Sequence, residues 1–207
     1  MKFTMQTEDL SMGVMSVIKA LPVRSTMAVL DGVLIEATQD GIHLTCSDLM
    51  FQKECFLAAN VEEEGKCVLK GKFLSEILRK LPLGKLEAEQ EGTFLKIKSG
   101  RVRQRLQCIE FDEFPSMRTK GDANYIVLPA KTLKDMIDHT VFAVSQDDSR
   151  PVLTGTLIES EDDSLTFVAT DSFQFALTSM HSEKVFPKMH TIVQGKVLTE
   201  IAKMAVN

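Results

Sequence analysis

Apolar residues recur along the chain with two alternating periods. Leu10, Val14, Val17, Ile18 and Leu21 fall at helical spacing on one face, as do Phe73, Leu74, Ile77, Leu78 and Leu81, and again Leu133, Met136, Ile137 and Val141. A 3.6-residue period predicts amphipathic helices packed on a core. Pro22 and Pro82 are placed to stop the first two, because proline lacks the backbone donor and clashes with the preceding turn. Between the helices the period drops to two. Val33-Leu34-Ile35-Glu36 and Gly41-Ile42-His43-Leu44-Thr45-Cys46 flank a polar turn at Gln39-Asp40. Thr93-Phe94-Leu95-Lys96-Ile97-Lys98 alternates as a half-buried strand should, and after the Ser99-Gly100 turn Val102 to Cys108 reads as its hairpin partner.

This pattern occurs twice. In one gapless register Phe3 falls on Ile126, Leu10 on Leu133, Val14 on Ile137, Gly32 on Gly155, Leu34 on Leu157, Ile35 on Ile158 and Glu36 on Glu159. The same register puts Ile42 on Leu165, Cys46 on Ala169, Ser47 on Thr170 and Asp48 on Asp171. A register one residue longer superposes Lys72, Leu74, Glu76 and Ile77 on Lys196, Leu198, Glu200 and Ile201. Apolar coincidences are cheap, but matching Gly, Glu and Asp in one register marks a tandem duplication. A shorter repeat is nested inside. Segments starting at Lys72, Lys131 and Lys196 share a Lys-x-Leu-x-acid pattern, and each follows a short apolar stretch: Cys67-Val68-Leu69, Ile126-Val127-Leu128 and Ile192-Val193.

The basic unit is therefore a strand, a helix, then strands. Such a unit must bury its sheet against its helix, which predicts an α+β fold with helices on one face of antiparallel sheets. Domain one, residues 1–121, holds two of these units, and the stretch from Phe111 through Phe114-Pro115 to Lys120-Gly121 is read as the link to domain two, residues 122–207. The second copy stops opposite Leu83 or Pro82, so the counterpart of residues 85–108 is missing. An open sheet edge and apolar face are expected there, to be completed by a longer chain or a partner, and the isolated chain is expected to self-associate.

Composition narrows the function classes. Of 207 residues 44% are apolar and 26% charged, and the net charge is −5. That is an ordinary globular balance, and it argues against a wholly basic nucleic-acid binder while leaving room for a local basic face. No apolar run is long enough for a signal peptide or a membrane span, so a cytoplasmic protein with no membrane partner is expected. Cys46, Cys55, Cys67 and Cys108 form no Cys-x-x-Cys pair, and reduced thiols among strands are expected rather than a metal site. There is no Gly-rich phosphate loop, His/carboxylate cluster or nucleophile motif, so neither catalytic residues nor cofactors are assigned. Asp48 and Asp171 could suggest paired-carboxylate chemistry, but they occupy equivalent places in two domains, and a turn role is expected for both.

Met1-Lys2-Phe3-Thr4, Arg24 after the first helix, Phe114-Pro115, and Phe167-Val168-Ala169-Thr170-Asp171 leading to Ser172 and Met180 complete a familiar order. Together with the domain-scale repeat, they resemble the bacterial DNA polymerase III beta subunit, the DNA sliding clamp family. The resemblance covers the whole chain, although no single motif is decisive. It implies tandem DNA-clamp domains, three in a complete chain, of which this one supplies the first and most of the second. It further implies a head-to-tail dimeric ring around double-stranded DNA without sequence preference. Short linear peptides of the DNA polymerase III alpha subunit and of the clamp loader would be its protein partners.

The same resemblance nominates site residues. Arg24, Lys72, Arg79, Lys80, Lys131, Gln146, Arg150 and Lys196 are the expected DNA-facing positions. Few, weak phosphate contacts suit a ring that must hold DNA by topology and still slide. A merely solvated helix face or surface loop is the competing reading. Leu153 and Thr170, Asp171, Ser172, Phe173, Gln174 and Phe175 match one wall of the family's peptide pocket; Phe173, Gln174 and Phe175 depart from its usual His-Arg-Leu, and either aromatic could instead be core packing. Lys72, Arg103, Gln104 and Leu106, with Arg105, match the ring interface, with Gln104 where many relatives carry an aromatic; a charged edge strand that resists aggregation is the alternative. Two other classes compete with the clamp: a naturally short peptide-binding module that closes no ring, and a metal-dependent phosphodiesterase.

Overall fold

The structure, a computed structural model, describes residues 1–22, 25, 27–110, 114–115 and 125–205. The chain divides into two compact units, Met1–Thr119 and Lys120–Asn207. In the first, strand β1 (Lys2–Gln6) leads into helix α1 (Thr7–Val17) and then β2 (Gly32–Thr38), β3 (Gly41–Ser47), β4 (Gln52–Leu57) and β5 (Asn60–Glu63). The pattern then recurs as β6 (Gly65–Lys70), α2 (Gly71–Leu78), β7 (Lys85–Glu91), β8 (Phe94–Ser99) and β9 (Val102–Gln107). All pairings are antiparallel, in sheets of order β5-β1-β7-β8-β9 and β4-β3-β2-β6. Each strand–helix–strands unit thus lends its leading strand to the other's sheet: β1 pairs with β7, and β6 with β2.

That exchange builds one core. Leu10, Val14 and Val17 of α1 and Leu74 and Leu78 of α2 pack with Val33, Ile35, Ile42 and Leu44 of one sheet and with Leu86, Leu95, Ile97 and Leu106 of the other. Each such fully buried aliphatic side chain contributes about 1.5–3 kcal/mol. The buried Thr7 hydroxyl donates to the Gly84 carbonyl at 3.0 Å and meets Ser99 Oγ at 3.2 Å, tying the start of α1 to the far sheet. Cys46 and Cys67 are buried and Cys55 and Cys108 half-buried, all as free thiols. Desolvation pushes the Cys46 thiol up to about 12.

Two sequence expectations need correcting here. Phe73 is not on the buried face of α2, since 55% of it is exposed. The buried stripe is Gly71, Leu74, Ser75 and Leu78, and Phe73 lies about 100° round the helix from Leu74. Nor is Phe114 linker: it is buried in unit one, with Val29, Leu30, Leu34 and Val68 on the sheet face away from the helices, and Ile109 packs beside them. The rest of the expected link, 111–113 and 116–121, lies outside the described residues.

Unit two contains α3 (Ala130–Asp138), β10 (Gly155–Glu161), β11 (Ser164–Thr170), β12 (Phe175–His181), β13 (Met189–Gln194) and α4 (Gly195–Met204), with sheet order β12-β11-β10-β13. Met136, Ile137, Ile158, Leu165, Phe167 and Leu198 form its core. The segment Ile126-Val127-Leu128, expected as a strand, carries no strand assignment. In unit one its equivalent β1 is hydrogen-bonded on both sides, by β5 and β7. In unit two these residues line an open apolar cleft of about 400 Å³ with Leu133, Ile158 and Phe167. One tight strand contact recurs within each unit. A Cβ on Gly32 would meet Val68 Cγ1 at 2.2 Å, and one on Gly155 would meet Ile192 Cγ2 at 2.6 Å, so only glycine lets these paired strands close.

Candidate nucleic-acid and peptide interfaces

Three helices begin alike. Gly71, Ala130 and Gly195 open α2, α3 and α4, and the second residue of each is an exposed lysine: Lys72, Lys131 and Lys196. The strand before each helix, or the apolar segment in its place, delivers the chain directly into the first turn, which fixes where these ammonium groups stand. At the other end of α2 the charge is positive: Arg79 and Lys80, both exposed, follow its last turn and line a shallow hollow with Glu76. Cations at that end also suit the negative pole of the helix. Around Lys131 the charge is balanced, because Lys134 pairs with Asp138 on the same face. Helix α1 is different again, with Glu8 and Asp9 in its first turn and exposed Met12 and Met15 along it. Arg24 lies outside the described residues.

A second constellation sits at one end of the unit-two sheet. Gln146 and Arg150 are exposed in the loop after α3, and the Arg150 guanidinium donates to Ser172 Oγ at 3.1 Å. Asp147 holds that loop by accepting Ser149 Oγ at 2.7 Å and the Ser149 amide at 2.9 Å, and these bonds keep its carboxyl below its ordinary range. Between β11 and β12, Asp171 accepts the amides of Gln174 at 2.7 Å and Phe173 at 2.8 Å, while Thr170 Oγ1 donates to the Gln174 carbonyl at 2.6 Å. The amides of Gln174 and Phe173 hold the Asp171 carboxyl low. Ser172 takes a left-handed conformation, φ 81°. Asp48 does the same work between β3 and β4, accepting the amides of Phe51 at 2.7 Å and Met50 at 3.0 Å, with Leu49 at φ 73°. Both aspartates build turns.

The turn pushes its aromatics outward. Phe173 is 93% exposed and Phe175 68%, so neither is core packing. Leu153 is half-buried, in sequence register with Leu30 of unit one. On the sheet face away from the helices an apolar row crosses all four strands, Leu177–Val168–Leu157–Ile192 in hydrogen-bond register. Sequence reasoning missed Leu177 and Ile192 as surface residues. The signal was present in the period-two alternation, because each stands one position off the buried set.

The family models for the DNA polymerase III beta subunit match in tandem, the N-terminal domain over residues 1–118 and the central domain over residues 127–207. The chain belongs to the DNA polymerase III beta subunit family. The Beta sliding clamp of Bacillus subtilis (strain 168) is 35% identical over 99% of this chain and 57% of the relative. The crystal structure of the DNA polymerase sliding clamp from Bacillus subtilis superposes with a TM-score of 0.91 at 34% identity, over 99% of this chain and 56% of that one. That of a putative DNA polymerase III beta subunit from Eubacterium rectale ATCC 33656 gives 0.92 at 30% identity, over the same shares. The chain thus spans little more than half the length of these clamp relatives.

The residues expected at a ring edge lie on or beside β9. β9 is the outermost strand of its sheet, and Arg103, Gln104 and Arg105 are exposed on it. Leu106 is 3% exposed and packs with the unit-one core, on the same side of the pleat as Val102, and lines the cleft beside Phe73. The Arg105 guanidinium stacks 3.6 Å above the Phe94 ring. Phe73, unforeseen, lines an apolar cleft of about 400 Å³ between α2 and the end of β9. Among the described residues no helix is long and apolar enough to cross a membrane.

Proposed function

We propose that this chain supplies the first two domains of a cytoplasmic DNA sliding clamp, a non-catalytic scaffold. In the complete protein, two chains would close head to tail around duplex DNA and tether the replicative polymerase. The observation that carries this reading is the tandem pair of family domains with a lysine at the same second helical position three times over. Lys72, Lys131 and Lys196, with Arg79 and Lys80, form a sparse cationic lining on an acidic protein. Such a lining attracts phosphates without gripping any one sequence, which permits sliding. Arg24, Gln146 and Arg150 would add contacts from the loops after the first helix of each domain. Leu153 and the Thr170–Phe175 turn would form one wall of a pocket for polymerase and clamp-loader peptides. The exposed Phe173 and Phe175 and the absence of a cation at Gln174 favour apolar, aromatic-tolerant ligands there. Lys72, Arg103 and Gln104 would meet the neighbouring subunit.

The test is retention of the full-length ring on circular duplex DNA as salt is raised. Lys196→Glu is expected to shorten retention and reduce its salt slope while melting temperature holds. Unchanged retention by an intact ring would remove Lys196 from the lining.

A further inference from the structure

We propose that Cys67 and Cys108 form a modification site, a dithiol that a hydroperoxide oxidises to a disulfide, welding the two sheets of unit one where the chain crosses between them. The strand register puts the two residues together. Cys67 and Leu69 share the inward side of β6 and belong to the unit-one core. The Ile109 amide donates to the Val68 carbonyl at 2.8 Å, in an antiparallel bridge between the residues after β9 and β6. That bridge sets Cys108 opposite Leu69, so Cys108 is a diagonal neighbour of Cys67 on the same face. Their side chains are hydrogen-bonded to each other. Cys108 is also the crossing point. Its own amide donates to the Thr93 carbonyl at the head of β8 at 2.8 Å, in the five-stranded sheet, and the next residue bonds to the four-stranded one.

Nearness alone does not make such a pair. Cys46 and Cys55 are diagonal neighbours too, since Leu44 pairs with Cys55, and both face the same core. Their sulfurs, however, turn to the main chain. Cys46 Sγ donates to the Gly32 carbonyl at 3.7 Å, and Cys55 Sγ to that of Phe56 at 3.9 Å. Burial pushes both thiols up, which keeps them protonated and inert. The members of the other pair are unlike each other. The hydrogen bond to Cys108 and then desolvation push the buried Cys67 thiol up. The Cys108 thiol is held down, chiefly because the Cys67 S–H donates to its sulfur, and burial offsets only part of this.

Cys108 is also the sulfur that a solute reaches. It is half-buried and lines the apolar cleft of about 400 Å³ beside Phe73, whereas Cys67 is 2% exposed. An accessible thiolate with a second thiol against it is what peroxide oxidation to a disulfide requires. The Cys108 thiolate attacks a peroxide oxygen. The S–O bond forms, the O–O bond breaks, and the departing alkoxide or hydroxide takes up the proton that Cys108 released. The Cys67 sulfur then attacks the sulfur of the Cys108 sulfenic acid. The S–S bond forms, the S–O bond breaks, and hydroxide leaves as water with the Cys67 proton. The two thiols lose two electrons to the peroxide, which is reduced to water and an alcohol, or to water alone. The new bond closes the loop that holds α2, β7, β8 and β9, so it restrains the edge strand β9 and the cleft beside it. This holds for unit one by itself, whether or not a ring closes on DNA.

The probe is hydrogen peroxide, added to the full 207-residue chain, with free thiols counted and disulfides mapped by mass spectrometry of non-reduced digests. Loss of two of the four thiols is expected, in a single Cys67–Cys108 link that dithiothreitol reverses. Cys67→Ala should leave a Cys108 sulfenic acid that dimedone traps. Cys108→Ser should slow thiol oxidation at least about tenfold, because the sulfurs that remain are protonated. Cys55→Ser, away from the pair, should change neither the link nor its rate. In the oxidised native chain the Ile109 amide should exchange at least about tenfold more slowly than in the reduced one, since the link holds its bond to Val68 closed. Because the mapping and the exchange are read on the native chain, a variant that folds poorly does not decide the matter. A native chain that keeps all four thiols, links Cys46 to Cys55, or forms only intermolecular disulfides overturns the proposal. So does an Ile109 amide whose exchange is unchanged or faster on oxidation.

Discussion

Val33 and Thr156, Leu34 and Leu157, Val68 and Ile192, Leu74 and Leu198 occupy equivalent places in the two units. On the helix side the members of each pair are equally buried: Val33 and Thr156 at 0%, Leu74 at 0% and Leu198 at 2%. On the far side they part, with Val68 at 0% and Ile192 at 44%. The strand–helix–strands unit by itself closes only one face of its sheet. The other face closes only where a further segment, such as the one carrying Phe114, crosses it. The comparison also separates packing from satisfaction. Thr156 is as buried as Val33, yet its hydroxyl has no hydrogen-bond partner among the described groups.

The largest expected effect tests whether helix-side burial is worth the same in both units. Leu74→Ala removes a side chain from the middle of a core bounded by two sheets, and a cost of about 3–5 kcal/mol is expected. Leu198→Ala acts on a core that includes partly buried neighbours and adjoins the open cleft at Ile126 and Leu128, where relaxation is easier. A smaller cost of about 2–3 kcal/mol is expected there. Calorimetric unfolding of the two variants reads both, and an equal or reversed order would show that exposure of the far face and the cleft does not soften unit two.

A gain of stability comes next. Replacing Thr156 by the residue its counterpart has, Thr156→Val, swaps an unpartnered buried hydroxyl for a methyl of nearly the same volume. Leaving a buried donor unsatisfied costs roughly 1–3 kcal/mol, and a rise in melting temperature is expected from recovering part of it. A fall would mean that the hydroxyl is satisfied in solution by a bound water.

What was legible in the sequence follows the same division. The helices, the hairpins β2–β3 and β8–β9, and the duplication were all readable, because short turns and apolar periods are local signals. The exchange of β1 and β6 between sheets was not. Its pairings, Phe3 with Ala88 and Leu34 with Val68, join distant segments, and nothing local in either strand names its partner. Candidate sites divided likewise. The three helix-leading lysines could be placed from the repeat alone. Leu106 could not, since an edge strand's alternation puts Leu106 and Gln104 on one side of the pleat without showing that Leu106 reaches the core while Gln104 stays exposed. Phe173 and Phe175 were ambiguous for a related reason: an aromatic in or beside a strand reads as core until the turn that lifts it is seen.

The smallest effect concerns a feature that both units build alike, the aspartate turn. Asp48 and Asp171 each accept two amides across a residue in the left-handed region. In unit one the last turn position is Phe51, which packs against the core, whereas in unit two the same position is the exposed Gln174, so only the hydrogen bonds hold the turn. The Asp171 carboxyl titrates below its ordinary value of 3.8 because the Gln174 and Phe173 amides stabilise the charged form. A group with a depressed folded-state value contributes stability above its unfolded value and loses it as pH falls through the folded one. Amide exchange at Phe173 and Gln174 should therefore be slow at neutral pH and lose protection below about pH 3.8, the ordinary carboxyl value to which the unfolded chain returns. Asp171→Asn should weaken that protection at neutral pH and flatten its acid dependence, with global melting little changed. Equal acid sensitivity in Asp171→Asn would assign the effect to another carboxylate and leave the unit-two turn held by its backbone alone.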